Sequence, residues 1–204
     1  MEFRTIKEEA KEALLGNRFM FFLALLITSL ICGALAPVFG VGIIIAPIMA
    51  GGLYLIGKGL LKKEGFDINT LFSLFKDLNH ALKLIGVYFL TGLIVFLGTL
   101  AFIIPGIIFY YQYSQAMFIM AENPQMGIWE AMEESKRLMV GHKFELFIFH
   151  LSFILHFLLV GITFGLYLIY FLPYYNVSIY NYYLHLSGQD NVKIQNDRIP
   201  DFEF

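Results

Sequence analysis

Charged residues are scarce in this chain, and cysteine is nearly absent. Only 15% of the 204 residues are Asp, Glu, Lys or Arg, whereas a soluble domain carries about 25%. So few charges cannot cover the surface of a water-soluble globule of this size, which excludes an ordinary soluble protein. The single cysteine, Cys32, excludes an intrachain disulfide and has no Cys or His neighbours at the spacing of a metal site.

Apolar residues take the place of the missing charges. They make up 58% of the chain, with 22 Phe and 12 Tyr, and the mean hydropathy is +0.70. A helix needs about 20 apolar residues to cross the hydrocarbon core, with a range of about 17–25. Six stretches reach this length or come close to it, and they predict an all-α membrane protein with six transmembrane helices: Phe19–Ala36, Val41–Leu61, Leu82–Ile104, Gly106–Ala121, Phe144–Val160 and Phe164–Leu186.

The connections between these stretches predict the topology. Spans one and two, three and four, and five and six are joined by short uncharged turns that contain Pro37, Pro105 and Gly161. Such residues break helices, so the six spans form three hairpins. Every Lys and Arg lies outside the three turns, and short loops rich in these residues stay cytoplasmic. Both termini are therefore expected in the cytosol.

Each hairpin follows a segment with one apolar and one charged face, and we interpret these segments as three cytosolic amphipathic helices. Such a helix lies in the membrane interface or docks on its own bundle, and docking is the favoured alternative. The apolar faces are Phe3, Ile6, Ala10, Ala13 and Leu14 in the first segment, Ile68, Leu71, Phe72, Phe75 and Leu78 in the second, and Ile128, Ala131, Met132, Ser135, Leu138 and Met139 in the third.

The unit of amphipathic helix, break and hairpin occurs three times. We therefore predict a single membrane domain over 1–186 with a threefold pseudo-repeat, whose units are about 1–61, 66–121 and 127–186. Residues 187–204 are polar and without periodicity, which predicts a cytosolic tail. At the break Gly141-His142-Lys143 we expect Gly141 in the left-handed conformation, with His142 capping exposed carbonyls and Lys143 reaching lipid phosphates.

Polar side chains inside the predicted membrane region are concentrated in spans four and six. Gln112, Gln115 and Asn176 are expected to face the bundle interior, because unpaired polar groups are costly in hydrocarbon. They either line a polar cavity, with His150 of span five beside them, or make hydrogen bonds between helices. The second alternative is favoured.

No catalytic or metal-binding constellation is evident. His150 and His156 are six residues apart and point to different sides of a helix, and zinc needs three or four ligands. No nucleophile elbow, P-loop or zinc-protease motif is present. The sequence therefore predicts a protein that is not an enzyme and has no cofactor. A net charge of −2 without a basic run gives no sign of a nucleic-acid partner.

Motifs spread over most of the chain resemble those of an uncharacterised bacterial membrane family, domain of unknown function 975. The motifs are Tyr113-Ser114, Glu122-Asn123-Pro124, Ser135 to Met139, Gly141-His142-Lys143, Leu151-Ser152-Phe153 and Pro173-Tyr174. Two positions depart from the family pattern, with Glu122 in place of the usual Asp and His156 in place of a Trp. The resemblance implies a bacterial plasma-membrane location and brings no established activity.

The leading functional hypothesis is a scaffold or regulator that binds a protein partner on the cytosolic side through its amphipathic helices. The alternative is a small carrier or lipid-handling protein that uses a polar cavity lined by spans four and six. Both hypotheses require contact with membrane lipids. A dry, closely packed axis would favour the scaffold, and a wet or lipid-filled one the carrier.

Overall fold

The computed structural model describes residues 2–38 and 40–189, so the predicted tail falls outside the described residues from position 190 onward. All regular structure in the described part of the chain is helical. The helices are α1 (Phe3–Ala13), α2 (Arg18–Leu35), α3 (Val41–Leu61), a 3₁₀ segment (Ile68–Phe75), α4 (Leu78–Ala101), α5 (Ile103–Tyr113), α6 (Ala116–Glu122), α7 (Ile128–Leu138), α8 (Lys143–Leu151), α9 (Ile154–Ile162) and α10 (Leu168–Leu186).

Four stretches in the described residues are long and apolar enough to cross a membrane. They are Arg18–Leu35, Val41–Leu61, Leu78–Ala101 and Lys143–Ile162, which correspond to predicted spans one, two, three and five. Predicted span four is divided into the short helices α5 and α6. Predicted span six is α10, whose 19 residues include many Tyr and two Asn.

The turn between predicted spans three and four lies earlier than the sequence suggested. The chain reverses at the extended residue Phe102, and Pro105 and Gly106 lie inside the first turn of α5. Proline is tolerated there because the first helical N–H groups have no intrahelical acceptor. Gly106 is required by packing, since a Cβ at this position would lie 2.0 Å from the Thr99 hydroxyl of α4.

Two of the three predicted amphipathic helices form as expected, and both dock on the bundle. Ile6 and Ala10 of α1 and its C-cap residue Leu14 are fully buried, as are Ala131 and Ser135 of α7. α1 lies against α10, and α7 lies against α5 and α6. Their apolar faces therefore belong to the core of the protein.

The middle amphipathic segment was predicted wrongly as an α-helix. Residues Ile68–Phe75 form a 3₁₀ helix, which begins at the N-cap Asp67. It buries Leu71 and Leu74 against α3 and leaves Phe72 exposed. A 3₁₀ helix has three residues per turn, so positions three apart share a face, and the expected face with α-helical spacing does not form.

The segments that precede the hairpins pack in a consistent order. The 3₁₀ segment before hairpin two lies on α3 of hairpin one, and α7 before hairpin three lies on α5 and α6 of hairpin two. α1 before hairpin one lies on α10 of hairpin three, which closes the cycle. Left-handed glycines, Gly16 and Gly141, follow α1 and α7 at the same distance.

Candidate functional site

Glu122 is the centre of a buried polar cluster. It is the last residue of α6, and its side chain is 8% exposed. One carboxylate oxygen, Oε1, accepts hydrogen bonds from the Tyr54 hydroxyl and from Lys58 Nζ. The other, Oε2, accepts from Gln189 Nε2 at 2.8 Å and from the Tyr183 hydroxyl at 3.2 Å. Four donors from two other parts of the chain therefore hold this carboxylate.

The local sequence explains how these groups meet. Tyr54 and Lys58 are four residues apart on α3, so they lie one above the other on the same face. Pro124 disfavours helical geometry at the residue before it, and Asn123 leaves the helix with φ −121° and ψ 78°. α6 therefore ends at Glu122 and presents the carboxylate at the end of the bundle.

The environment keeps Glu122 ionised. Burial raises the pKa of this carboxyl group, but the hydrogen bonds from Gln189, Lys58 and Tyr54, together with the charge of Lys58, lower it more. The pKa therefore lies below its ordinary value. A buried carboxylate with a cationic partner and several donors is stable as an ion pair.

An aromatic layer lies directly beside the cluster. The ring of Tyr54 stacks on Phe118 of α6 with 4.8 Å between centroids and contacts Tyr180 and Tyr183 of α10 at 5.3 and 5.8 Å. Tyr54, Tyr180 and Tyr183 are buried. Because the four rings come from α3, α6 and α10, this layer fills the place where these three helices meet.

A pocket of about 460 Å³ adjoins Glu122. Its charged and polar lining consists of Lys58, Lys62, Glu64, Asp67, Thr70 and Glu122. Lysines and carboxylates around one cavity suit a ligand that carries both charges or a polar group of a partner. No cluster of His, Cys, Asp and Glu in the described residues has the arrangement of a metal site.

The two predicted glutamines lie together, but at a separate place. Ser135 of α7 donates to the backbone oxygen of Gln112 at 3.0 Å, and its oxygen accepts from the backbone N–H of Gln115 at 3.2 Å. Gln112 Oε1 accepts from Lys143 Nζ at 2.8 Å. Both glutamines are buried. Their bonds tie the break between α5 and α6 to α7 and α8, as expected for hydrogen bonding between helices.

Asn176 and His150 make contacts of another kind. Asn176 donates to the backbone oxygen of Leu172 at 2.8 Å within α10. The Nδ1 atom of His150 bonds to the oxygen of Leu146 at 2.9 Å within α8, and its ring lies beside Tyr111 and Tyr175. Neither side chain is hydrogen-bonded to Gln112 or Gln115 in the described residues. A cavity shared by all four residues stays a prediction.

Sequence reasoning did not identify the Glu122 cluster, although two signals pointed to it. Lys58 lies inside an apolar span, and an ionisable residue in such a position is a functional hypothesis by default. Glu122 stands in the motif Glu122-Asn123-Pro124. The partners Tyr183 and Gln189 follow more than sixty residues later, so no local spacing could connect them to Glu122.

Comparison with known proteins gives one family. Residues 93–190 match the family model described as "Protein of unknown function (DUF975)", a stretch that includes Glu122, Tyr183 and Gln189. No curated protein and no solved structure matches the chain. The chain is therefore similar to the DUF975 proteins over residues 93–190, which confirms the resemblance that its motifs indicated.

Proposed function

We propose that this protein is a non-enzymatic scaffold or regulator of the bacterial plasma membrane that binds a protein partner on its cytosolic side. The observation that carries the proposal is the packed junction of α3, α6 and α10, where the rings of Tyr54, Phe118, Tyr180 and Tyr183 meet beside the Glu122 cluster. Rings packed in this way fill the space between α3, α6 and α10. We therefore favour binding of a partner at the surface over transport of a solute.

The proposal includes six crossings in three hairpins, with both termini in the cytosol. Two features support the additional spans beyond the four long apolar stretches. α10 has 19 residues, which at 1.5 Å per residue is close to the thickness of the hydrocarbon core. α5 and α6 follow each other with only Ser114 and Gln115 between them. The uncharged hairpin turns support the orientation.

α7 offers the best surface for the partner. Trp129, the single tryptophan of the chain, is 65% exposed. Glu133 and Lys136 are exposed on the same face at helical spacing. Tryptophan is enriched among the residues that dominate binding energy in protein interfaces. Charged neighbours provide specificity.

Site-specific photo-crosslinking in native membranes tests this function. A photoreactive residue at position 133 should give one discrete adduct with a second protein, and Trp129→Ala should reduce its yield several-fold. The matched control is a photoreactive residue at position 97, because Leu97 is an exposed apolar residue of α4. Adducts only with lipid or with the chain itself at both positions would contradict the proposal.

A carrier or lipid-handling protein is the second candidate, and the pocket beside Glu122 favours it. This pocket adjoins the buried ion pair of Lys58 and Glu122, and ionisable pairs of this kind line substrate paths in many transporters. Uptake of a zwitterionic solute into proteoliposomes that is lost in Glu122→Gln would support the carrier. The same variant should leave crosslinking at position 133 unchanged if the protein is a scaffold.

A further inference from the structure

Three cations follow one another along α1 and the start of α2. Lys7 and Lys11 are four residues apart on α1, and Arg18 is the first residue of α2. They lie over aromatic rings of α10 and of the junction between α8 and α9. Lys7 Nζ is 4.1 Å from the ring centroid of Phe153, Lys11 Nζ is 5.3 Å from that of Tyr174, and Arg18 Cζ is 4.1 Å from that of Tyr170.

None of the three cations forms an ion pair within the described residues. Two of the nearby acids have other partners, since Glu8 pairs with Arg4 and Glu9 accepts hydrogen bonds from Asn181 and His185. The third, Glu12, is exposed on α1. Burial, together with the charge of Lys11, lowers the pKa of Lys7, which is the behaviour of a lysine without a neutralising neighbour. Within the described residues, no carboxylate is bonded directly to any of the three cations.

Two buried polar atoms at the same place lack a partner. Arg18 Nε and His156 Nδ1 are both inaccessible to solvent and make no hydrogen bond. The His156 ring stacks on Phe171 with 5.4 Å between centroids and also lies beside Tyr174. Buried polar atoms without a hydrogen-bond partner are rare in native proteins, and each calls for an explanation, such as a ligand.

The surroundings of the cations are apolar. One polar contact is made by Ser152, whose Oγ accepts from Lys7 Nζ at 2.6 Å. Leu15 and Phe19, which flank the α1–α2 turn, are 72% and 62% exposed, and Leu155 beside His156 is 68% exposed. A ligand at this place must therefore combine an anionic group with apolar chains.

We infer that Lys7, Lys11 and Arg18 form a binding site for the phosphate group of an anionic phospholipid. The arginine and the lysines bind the phosphate oxygens, and the aromatic rings keep the cations in place without neutralising them. The acyl chains lie along the exposed apolar residues of α2 and α9. This site is independent of the partner surface on α7 and of the pocket beside Glu122.

Native mass spectrometry of the purified protein tests the site with defined lipids. The probes are phosphatidylglycerol, zwitterionic phosphatidylcholine and inorganic phosphate. We expect the wild type to retain phosphatidylglycerol in preference to phosphatidylcholine. The triple variant Lys7→Gln/Lys11→Gln/Arg18→Gln should bind phosphatidylglycerol at least about tenfold more weakly. Displacement of the lipid by millimolar inorganic phosphate would confirm that the phosphate group is what is recognised.

The matched control removes three lysines elsewhere, Lys63, Lys76 and Lys83, and should leave the affinity unchanged. The conservative variant Lys7→Arg/Lys11→Arg keeps the charges and should retain binding, which separates loss of the site from loss of the fold. Equal affinities of the triple variant and the wild type would overturn the inference. So would retention of phosphatidylcholine as strongly as phosphatidylglycerol. Binding of inorganic phosphate without any lipid preference would also overturn the lipid assignment.

Discussion

At Gly141 the sequence predicted the backbone conformation but not the side-chain contacts of the residues that follow. Its φ of 81° confirms the predicted left-handed glycine between α7 and α8. Its neighbours behave differently from the prediction. His142 hydrogen-bonds to Glu145 at 2.6 Å instead of capping carbonyls, and Lys143 donates to Gln112 instead of pointing to lipid. Backbone conformation follows from the residue type, whereas side-chain partners depend on which helices the fold brings together.

The first prediction concerns Gly141→Val. A Cβ at this position meets no atom within 4 Å, so the cost comes only from forcing a β-branched residue into the left-handed region, about 1–2 kcal/mol. Thermal unfolding in detergent measures it. Gly161→Val is the control, because Gly161 has equally open surroundings and lies in a regular helix. An equal effect of the two substitutions would show that the conformation of Gly141 is not the cause.

Glu122 illustrates the opposite case. The sequence contains all residues of the cluster, but it does not show that they lie close together in the fold. Its partners Tyr54 and Lys58 belong to the first hairpin, Tyr183 belongs to the third, and Gln189 follows the third. Only the packing of α3, α6 and α10 brings them together. A pattern search along the chain detects neighbours on one helix, and it cannot detect a site of this kind.

The second prediction concerns Glu122→Gln. The substitution keeps the size of the side chain but leaves Lys58 without its counter-ion. Because the Lys58 side chain is 19% exposed, we expect a loss of about 2–3 kcal/mol, somewhat less than the ~3–5 kcal/mol typical of a fully buried pair. Thermal unfolding measures the loss. The control Glu134→Gln breaks an exposed pair with Arg137 and should hardly change the melting temperature.

The third prediction is a pH dependence that originates at Glu122. Its pKa is lower in the folded protein than in the unfolded chain, so the stabilisation is complete above the unfolded value of about 4.3. It is lost as the pH falls through the folded pKa. Melting temperatures recorded from pH 7 downward should therefore decline more steeply in the wild type than in Glu122→Gln. Parallel curves would mean that the carboxylate is not stabilised by the fold.

At the scale of the elements, helical periodicity identified the docked faces of α1 and α7 but not the conformation of the segment between α3 and α4. The reason lies in α3. A Cβ at Gly52 would lie 2.3 Å from the backbone oxygen of Leu71, so the 3₁₀ segment packs directly against the backbone of α3 at this glycine. Tertiary contacts decide which glycine of a helix allows another segment to approach this closely. The periodicity of the sequence carries no information about such contacts.

The fourth prediction follows from this contact. Gly52→Ala should destabilise the protein by about 1–3 kcal/mol, because the backbone at Leu71 must move away. Gly59→Ala in the same helix is the control. Its Cβ would meet nothing closer than 3.6 Å, and alanine favours a helix over glycine by up to about 1 kcal/mol, so stability should be kept or increased. Thermal unfolding distinguishes the two, and a stable Gly52→Ala protein would exclude the close contact.

At the scale of the whole molecule, the segments that precede the hairpins pack on one another's hairpins in a cyclic order. The 3₁₀ segment lies on α3, α7 lies on α6 and also on α4 and α5, and α1 lies on α10. Each of these segments therefore contacts the second half of the preceding hairpin, and α1 completes the cycle. Parallel repeats around an axis along the membrane normal produce this order. The structure departs from the predicted repeat in two of its three units. In the second, a 3₁₀ segment replaces the expected α-helix, and the predicted span four is broken into α5 and α6. In the third, the predicted span five is broken into α8 and α9.

The fifth prediction tests the membrane topology that such repeats imply. In a Cys32→Ser background, single cysteines replace Val38 and Phe164, at the turns of the first and third hairpins, and Lys63 and Lys136 on the opposite side. All four positions are exposed, so failure to react reflects the membrane and not burial. Because the lysine-rich connections stay in the cytosol, an impermeant maleimide should label positions 38 and 164 in intact cells and positions 63 and 136 only after permeabilisation. Labelling of 38 and 164 from opposite sides would mean inverted units, and the cyclic packing would then not reflect a parallel repeat.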